Sequence, residues 1–113
     1  MIKIYHNNRC SKSRSGLEIV KASGKDFETI NYLTDNLTIE DIKAILTLLN
    51  IPPLDLIRKN EAIWKANYKG LTLSDEELIK AMAEHPKLIE RPIVVNGEKA
   101  VIGRPPELIE TII

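Results

Sequence analysis

The chain has 113 residues, 43% of them hydrophobic, with 16 basic and 16 acidic side chains and a formal net charge of zero. That length suits one domain able to bury a core without disulfide or metal support, and the balanced charge argues against general nucleic-acid binding, which calls for a basic face. No apolar run approaches the roughly 20 residues of a membrane helix, the N-terminus turns polar too soon for a signal peptide, and a lone cysteine suits a reducing compartment, so a cytoplasmic location is expected.

In chain order, Ile2 and Ile4 alternate with Lys3 and Tyr5 as in a strand. A polar stretch from His6 to Ser15 follows, and helical spacing begins with Leu17, Ile19 and Val20. Gly24 is placed to stop that helix. Phe27 to Tyr32 reads as a second strand. Thr38 is positioned to cap a helix whose apolar stripe is Ile39, Ile42, Ile45, Leu46 and Leu49, with Pro52 and Pro53 ending it. Asn60 is the expected cap of a short helix around Trp64, and Ser74 with Glu77 forms a capping box ahead of Leu78, Ile79 and Met82. Ile93 to Val95 and Glu98 to Ile102 read as a hairpin turning at Asn96-Gly97. Pro105 and Pro106 open a last helix, expected to bury Leu108, Ile109 and Ile112.

The order is βαβ, a block of helices, then ββα. A βαβ opening implies a parallel pair with a right-handed crossover, and the hairpin adds antiparallel strands. The expected fold class is α/β: a thioredoxin- or glutaredoxin-like βαβ–ββα plan with a mixed four-stranded sheet. Residues 1–113 form one such domain, with a helical insertion at about 34–88. Pro92, just before the third strand, is a candidate cis proline.

Free cysteine is usually core filler. Cys10, however, lies in a stretch with no aliphatic or aromatic side chain, which does not belong in a core. It sits where a helix N-terminus offers unpaired amides and partial positive charge, with Arg9, Lys12 and Arg14 close in sequence. That setting lowers a thiol pKa and favours the nucleophilic thiolate. The same groups attract an anion. Ser13 occupies the place of the second cysteine in a C-x-x-C centre, so no internal disulfide can form and an oxidised Cys10 needs an external thiol. Gly16 stands where a phosphatase-type loop would carry its arginine. His6 and Cys10 are too few for a structural zinc site.

Arg58, Arg91 and Arg104 are ordinary surface charges on a bland reading. Arg91 and Arg104 each precede a proline and flank the hairpin, which brings them together in space. Arginine suits bidentate recognition of oxyanions. His6 either helps tune the thiol or serves as a structural hydrogen-bonding residue. Lys12 and Lys59 add charge or are merely solvated. Trp64 and Tyr68 read as packing residues of the insertion.

The sequence resembles the glutaredoxin-coupled arsenate reductase family almost end to end. The resemblance is carried by Tyr5-His6-Asn7 leading to Cys10-Ser-Lys-Ser-Arg14, by Leu56-Ile57-Arg58-Lys59-Asn60-Glu61, by His85 through Val95, and by Gly103-Arg104-Pro105-Pro106-Glu107. It departs at Asn8, where many members carry proline. The resemblance implies that Cys10 is the catalytic cysteine, that Arg58, Arg91 and Arg104 bind the arsenate oxyanion, and that His6 and Arg14 tune the thiol, to which Lys12 is expected to add its charge. It implies glutathione as co-substrate and glutaredoxin as partner; no bound cofactor or metal, no nucleic acid, no membrane and a monomer are the expectations that stand beside it. Two other readings stand beside it. One is a regulator like the related Spx-type proteins, which Ser13 and the three arginines disfavour. The other is a general glutathione-linked thiol oxidoreductase, which a C-x-x-S centre permits.

Overall fold

The computed structural model describes residues 1–35 and 37–113. Its contacts divide into two compact units, one of Met1–Asp35 with Arg91–Ile113 and one of Asn36–Glu90.

The first unit is built on a mixed four-stranded sheet in the order β2-β1-β3-β4, with β1 at Ile2–Tyr5, β2 at Phe27–Ile30, β3 at Ile93–Asn96 and β4 at Lys99–Ile102. Strand β1 runs parallel to β2, pairing Ile2 with Phe27, and antiparallel to β3, pairing Tyr5 with Ile93. Helix α1, Ser11–Ala22, is the crossover between the parallel strands. It ends as its sequence requires: Gly24, at φ +72°, takes the left-handed conformation and donates its N–H to the Lys21 carbonyl. Ile2 and Ile4 of β1, Val20 of α1, Val94 of β3 and Ile109 form the buried core of this unit. The βαβ–ββ order and this mixed four-stranded sheet are the thioredoxin-like arrangement that the sequence leads us to expect.

Three details depart from expectation. The hairpin loop is Gly97-Glu98, because Asn96 pairs with Lys99 and remains in the strand. Gly97 takes the required positive φ of +64°. The last element, Pro106–Thr111, is a 3₁₀ helix. At three residues per turn, neighbouring side chains diverge by a third of a circle. Ile109 is therefore fully buried while the adjacent Leu108 is exposed; Ile112, just beyond the helix, is half-buried. The Arg91-Pro92 peptide is cis, as its place before β3 suggested, and so is Arg104-Pro105, which was not foreseen.

The second unit contains α2 at Ile39–Leu49, α3 at Ala62–Asn67 and α4 at Asp75–Glu84. Both long helices start with complete capping boxes. Thr38 Oγ1 accepts from the Asp41 N–H at 3.1 Å and the Thr38 N–H donates to Asp41 Oδ2 at 2.9 Å. Ser74 and Glu77 repeat the arrangement at 3.2 and 3.0 Å. These reciprocal bonds satisfy amides that the first helical turn leaves open. Helix α2 packs on α4 and buries Ile42, Ile45 and Leu46, while Ile39 is 41% exposed and Leu49 half-buried. Helix α3 is capped by Glu61 rather than Asn60, the Glu61 carbonyl accepting the N–H groups of Trp64 and Lys65. Trp64 is buried and stacks on Tyr68 at a centroid distance of 5.6 Å, a packing role for both rings. Among the described residues, no helix is long and apolar enough to cross a membrane.

Candidate functional site around Cys10

The sheet register decides where the polar loop begins. Beyond Tyr5 the His6 N–H still donates to the Ile30 carbonyl at 2.9 Å, after which the chain leaves the sheet. Asn7 then organises a turn. Its carbonyl accepts the Cys10 N–H at 3.0 Å and its Oδ1 accepts the Arg9 N–H at 3.0 Å. Cys10 is the residue immediately before α1, in extended conformation, and its carbonyl receives the Arg14 N–H. The first turn of α1 holds no acidic residue, so nothing there offsets the amide dipoles that face the thiol.

Cys10 is half-exposed. Its thiol makes no regular cap bond, yet it lies against the Ser13 and Lys12 N–H groups and the Arg91 guanidinium. Burial pushes the thiol pKa up, but the Ser13 amide, Arg91 and the Lys12 amide together outweigh it and hold the thiol below its usual range. Lys12 thus acts on the sulfur through its backbone; its side chain is exposed. Arg14 reaches back one turn, as its spacing implies, and donates from Nη1 to the Asn8 carbonyl at 3.0 Å, bracing the loop.

His6 is buried, with Nδ1 2.7 Å from Ser13 Oγ. Burial lowers its pKa most, the Ser13 bond opposes this, and the Arg14 and Lys21 charges lower it further, so the neutral ring is favoured. Ser13 Oγ also accepts the Asn7 N–H at 2.9 Å. A fully buried hydroxyl therefore ties the start of the loop to the first turn of the helix, while the same residue's amide faces the thiol.

Arg91 reaches Cys10, and Tyr32 reaches Arg91, from the two strands flanking β1. Arg91 lies two residues before Ile93, the partner of Tyr5 on β3, and Tyr32 two residues after Ile30, its partner on β2. The Arg91 guanidinium interacts with both the Cys10 sulfur and the buried Tyr32 hydroxyl. Burial lowers the Arg91 pKa, but Tyr32 and Cys10 more than compensate, and the net shift is upward, which keeps the guanidinium charged. Arg104 comes alongside, donating from Nη1 to the Arg91 carbonyl at 3.3 Å. The two arginines are thus neighbours, as their positions on the hairpin predicted.

Close backbone approach makes this possible. A Cβ on Gly16 would lie 2.7 Å from Pro92 Cγ and 2.9 Å from Ile109 Cδ1, and one on Gly103 would lie 2.9 Å from Ile109 Cδ1 and 3.0 Å from Pro92 Cγ. Glycine at both positions lets α1 and the end of β4 close on Pro92, the residue after Arg91.

Arg58 belongs to the second unit. Its Nε lies 3.5 Å from Glu61 Oε1 and 3.9 Å from Glu90 Oε1. Lys59 is exposed. Ser13, Tyr32 and the two close-packed glycines were not singled out from sequence as parts of a site. The C-x-x-S spacing was a usable signal for Ser13; Tyr32 carries none in its own neighbourhood. No group of three or more His, Cys, Asp or Glu side chains among the described residues could hold a metal ion.

The ArsC family model matches residues 5–112, and the chain belongs to that family. It is 45% identical to YfgD of Escherichia coli K12, an uncharacterised protein, over 99% of this chain and 96% of that one. It is 42% identical to an arsenate reductase of Haemophilus influenzae over 94% of this chain and 93% of that protein. The solved structure of an arsenate reductase from Vibrio cholerae superposes with a TM-score of 0.93 at 41% identity, covering 99% of this chain and 97% of that one.

Proposed function

We propose that this protein is a glutathione- and glutaredoxin-dependent arsenate reductase with Cys10 as its nucleophile. The observation that carries the reading is the convergence of the Ser13 amide, the Lys12 amide and the Arg91 guanidinium on the one thiol of the chain. Those groups stabilise a thiolate and can hold an oxyanion beside it.

In this reaction the Cys10 thiolate attacks arsenic(V) and forms a sulfur–arsenic bond as water leaves. Glutathione thiolate then attacks the Cys10 sulfur. The sulfur–arsenic bond breaks, its electron pair stays on arsenic, and arsenite departs as arsenic(III). Cys10 is left in a mixed disulfide with glutathione, which a glutaredoxin thiol removes to restore the thiolate. Arg91, Arg104 and Arg58 are the proposed oxyanion ligands, with Arg14 and His6 holding the loop. A chain with one cysteine needs this external route, and a cytoplasmic thiol pool supplies it. We assign the working enzyme as a monomer.

The test is arsenate-dependent NADPH oxidation in the presence of glutathione, glutaredoxin and glutathione reductase. Wild type should turn over and Cys10→Ser should fall to the uncatalysed level. A folded wild-type protein without activity, or a Cys10→Ser protein that retains it, would sink the reading.

A further inference from the structure

The two parallel strands of the first unit end in the same kind of turn. After β1, Asn7 Oδ1 accepts the Arg9 N–H at 3.0 Å. After β2, Asn31 Oδ1 accepts the Leu33 N–H at 3.3 Å, and the Asn31 carbonyl accepts the N–H groups of Thr34 at 3.1 Å and Asp35 at 2.9 Å. An asparagine that bonds the backbone two residues on fixes a turn locally. The first of these turns presents Cys10 and the second holds the backbone at Tyr32. Strand β3 runs antiparallel to β1, with Ile93 opposite Tyr5, so Arg91 enters at the same end of the sheet.

Tyr32 is fully buried, its hydroxyl included. A phenol so enclosed calls for a polar partner. The Arg91 guanidinium is one: it donates to the Tyr32 oxygen and also bonds the Cys10 sulfur. Arginine carries its N–H donors in a rigid planar fork, so a bond at one donor orients the others. The Arg91 backbone is braced separately, since its carbonyl accepts Arg104 Nη1. A hydroxyl oxygen takes its bond without the full charge of a carboxylate, and the guanidinium still faces the sulfur as a cation. The proposed chemistry uses Arg91 beside the thiolate and assigns Tyr32 no part.

We propose that Tyr32 is a positioning residue: its buried hydroxyl oxygen accepts an N–H of Arg91 and holds the guanidinium fork against Cys10 before any anion arrives. The inference rests on Cys10 being the nucleophile, as the proposed function has it.

The test is the pH dependence of Cys10 alkylation by iodoacetamide in the full chain. Thiolate is the reacting form, so the profile follows the thiol pKa without arsenate. Tyr32→Phe removes one oxygen and keeps the ring. It should move the profile to higher pH and lower kcat/KM for arsenate by roughly tenfold, less than loss of the cation itself. Added to Arg91→Ala, it should move the profile no further, because a residue acting through Arg91 then has nothing to hold. A Tyr32→Phe profile identical to wild type, or an equal shift with and without Arg91, would overturn the proposal. If Tyr32→Phe fails to fold, the Cys10→Ala chain carries the test. There, NMR of labelled arginine should still show hindered rotation of the Arg91 guanidinium, and free rotation would overturn the proposal. A wild type inactive on arsenate whose thiol still responds to Tyr32→Phe through Arg91 would remove the arsenate chemistry and support the positioning.

Discussion

The Cys10 loop and the Arg58 segment treat a partly covered polar group in opposite ways. Around Cys10 the nearest influences are amides and a guanidinium, and no carboxylate is among the groups that shift the thiol. Around Arg58 two carboxylates, Glu61 and Glu90, lie within ion-pair distance of Nε. In both cases hydrogen-bonded backbone does the placing: the turn at Asn7 and the first turn of α1 for the thiol, the Ile57–Ile89 bridge for the arginine. The first environment favours making an anion. The second sets a cation beside carboxylates. Their contrast teaches that positive residues matching a family pattern are not equivalent until their counter-charges are known.

The largest effect that would sharpen this contrast is expected at Arg91. Arg91→Ala removes the one side-chain cation acting on the thiol and should cost about a hundredfold in kcat/KM, the usual scale for losing one preorganised charge donor. The thiol pKa should rise, so the activity profile should move to higher pH and thiolate absorbance should appear later in an ultraviolet titration. An unchanged titration would show that amides alone set the thiol, and the contrast would then lie between backbone and side chain.

A smaller effect is expected from packing. Gly16→Ala places a methyl 2.7 Å from Pro92 Cγ and should destabilise the protein by about 1–3 kcal/mol, as overpacked cores do. Thermal melting should detect it as a drop of several degrees. A neutral result would mean that α1 and Pro92 can separate freely, and that close packing does not hold Arg91 near the thiol.

The smallest effect concerns acid. The His6 pKa is lowered in the folded state, chiefly by burial, so below about pH 6.5 the unfolded chain takes up a proton that the folded chain resists. Stability should therefore be fully present above that value and decline as pH falls below it. His6→Asn should flatten this part of the pH dependence, measured by urea unfolding at several pH values. An identical decline in the variant would assign it to other groups.

Much of this architecture was legible in the sequence because it depends on local rules. Gly24 stops α1 through positive φ, Ser74 and Glu77 cap α4, and the alternation in Ile2 to Tyr5 makes β1. The lone thiol at a helix start was legible for the same reason. What could not be read depended on partners distant in sequence. Tyr32 meets Arg91 only because β1 lies between their strands. The exposure of Ile39 and Leu108 follows from which turns are covered and from a 3₁₀ geometry that apolar spacing does not announce. The counter-charges of Arg58 required the bridge between Ile57 and Ile89, which no local periodicity encodes.

The buried hydroxyl of Ser13 has a chemical consequence. It occupies the place a resolving cysteine takes in a dithiol centre, and it is spoken for by His6 Nδ1 at 2.7 Å and the Asn7 N–H at 2.9 Å. A sulfur there is larger and a poorer acceptor, so a single Ser13→Cys change would loosen the loop that presents Cys10 before it could offer a second thiol. Resolution of an oxidised Cys10 within the chain is thus not reached by that one exchange, and under the proposed chemistry the oxidised sulfur passes to an external thiol.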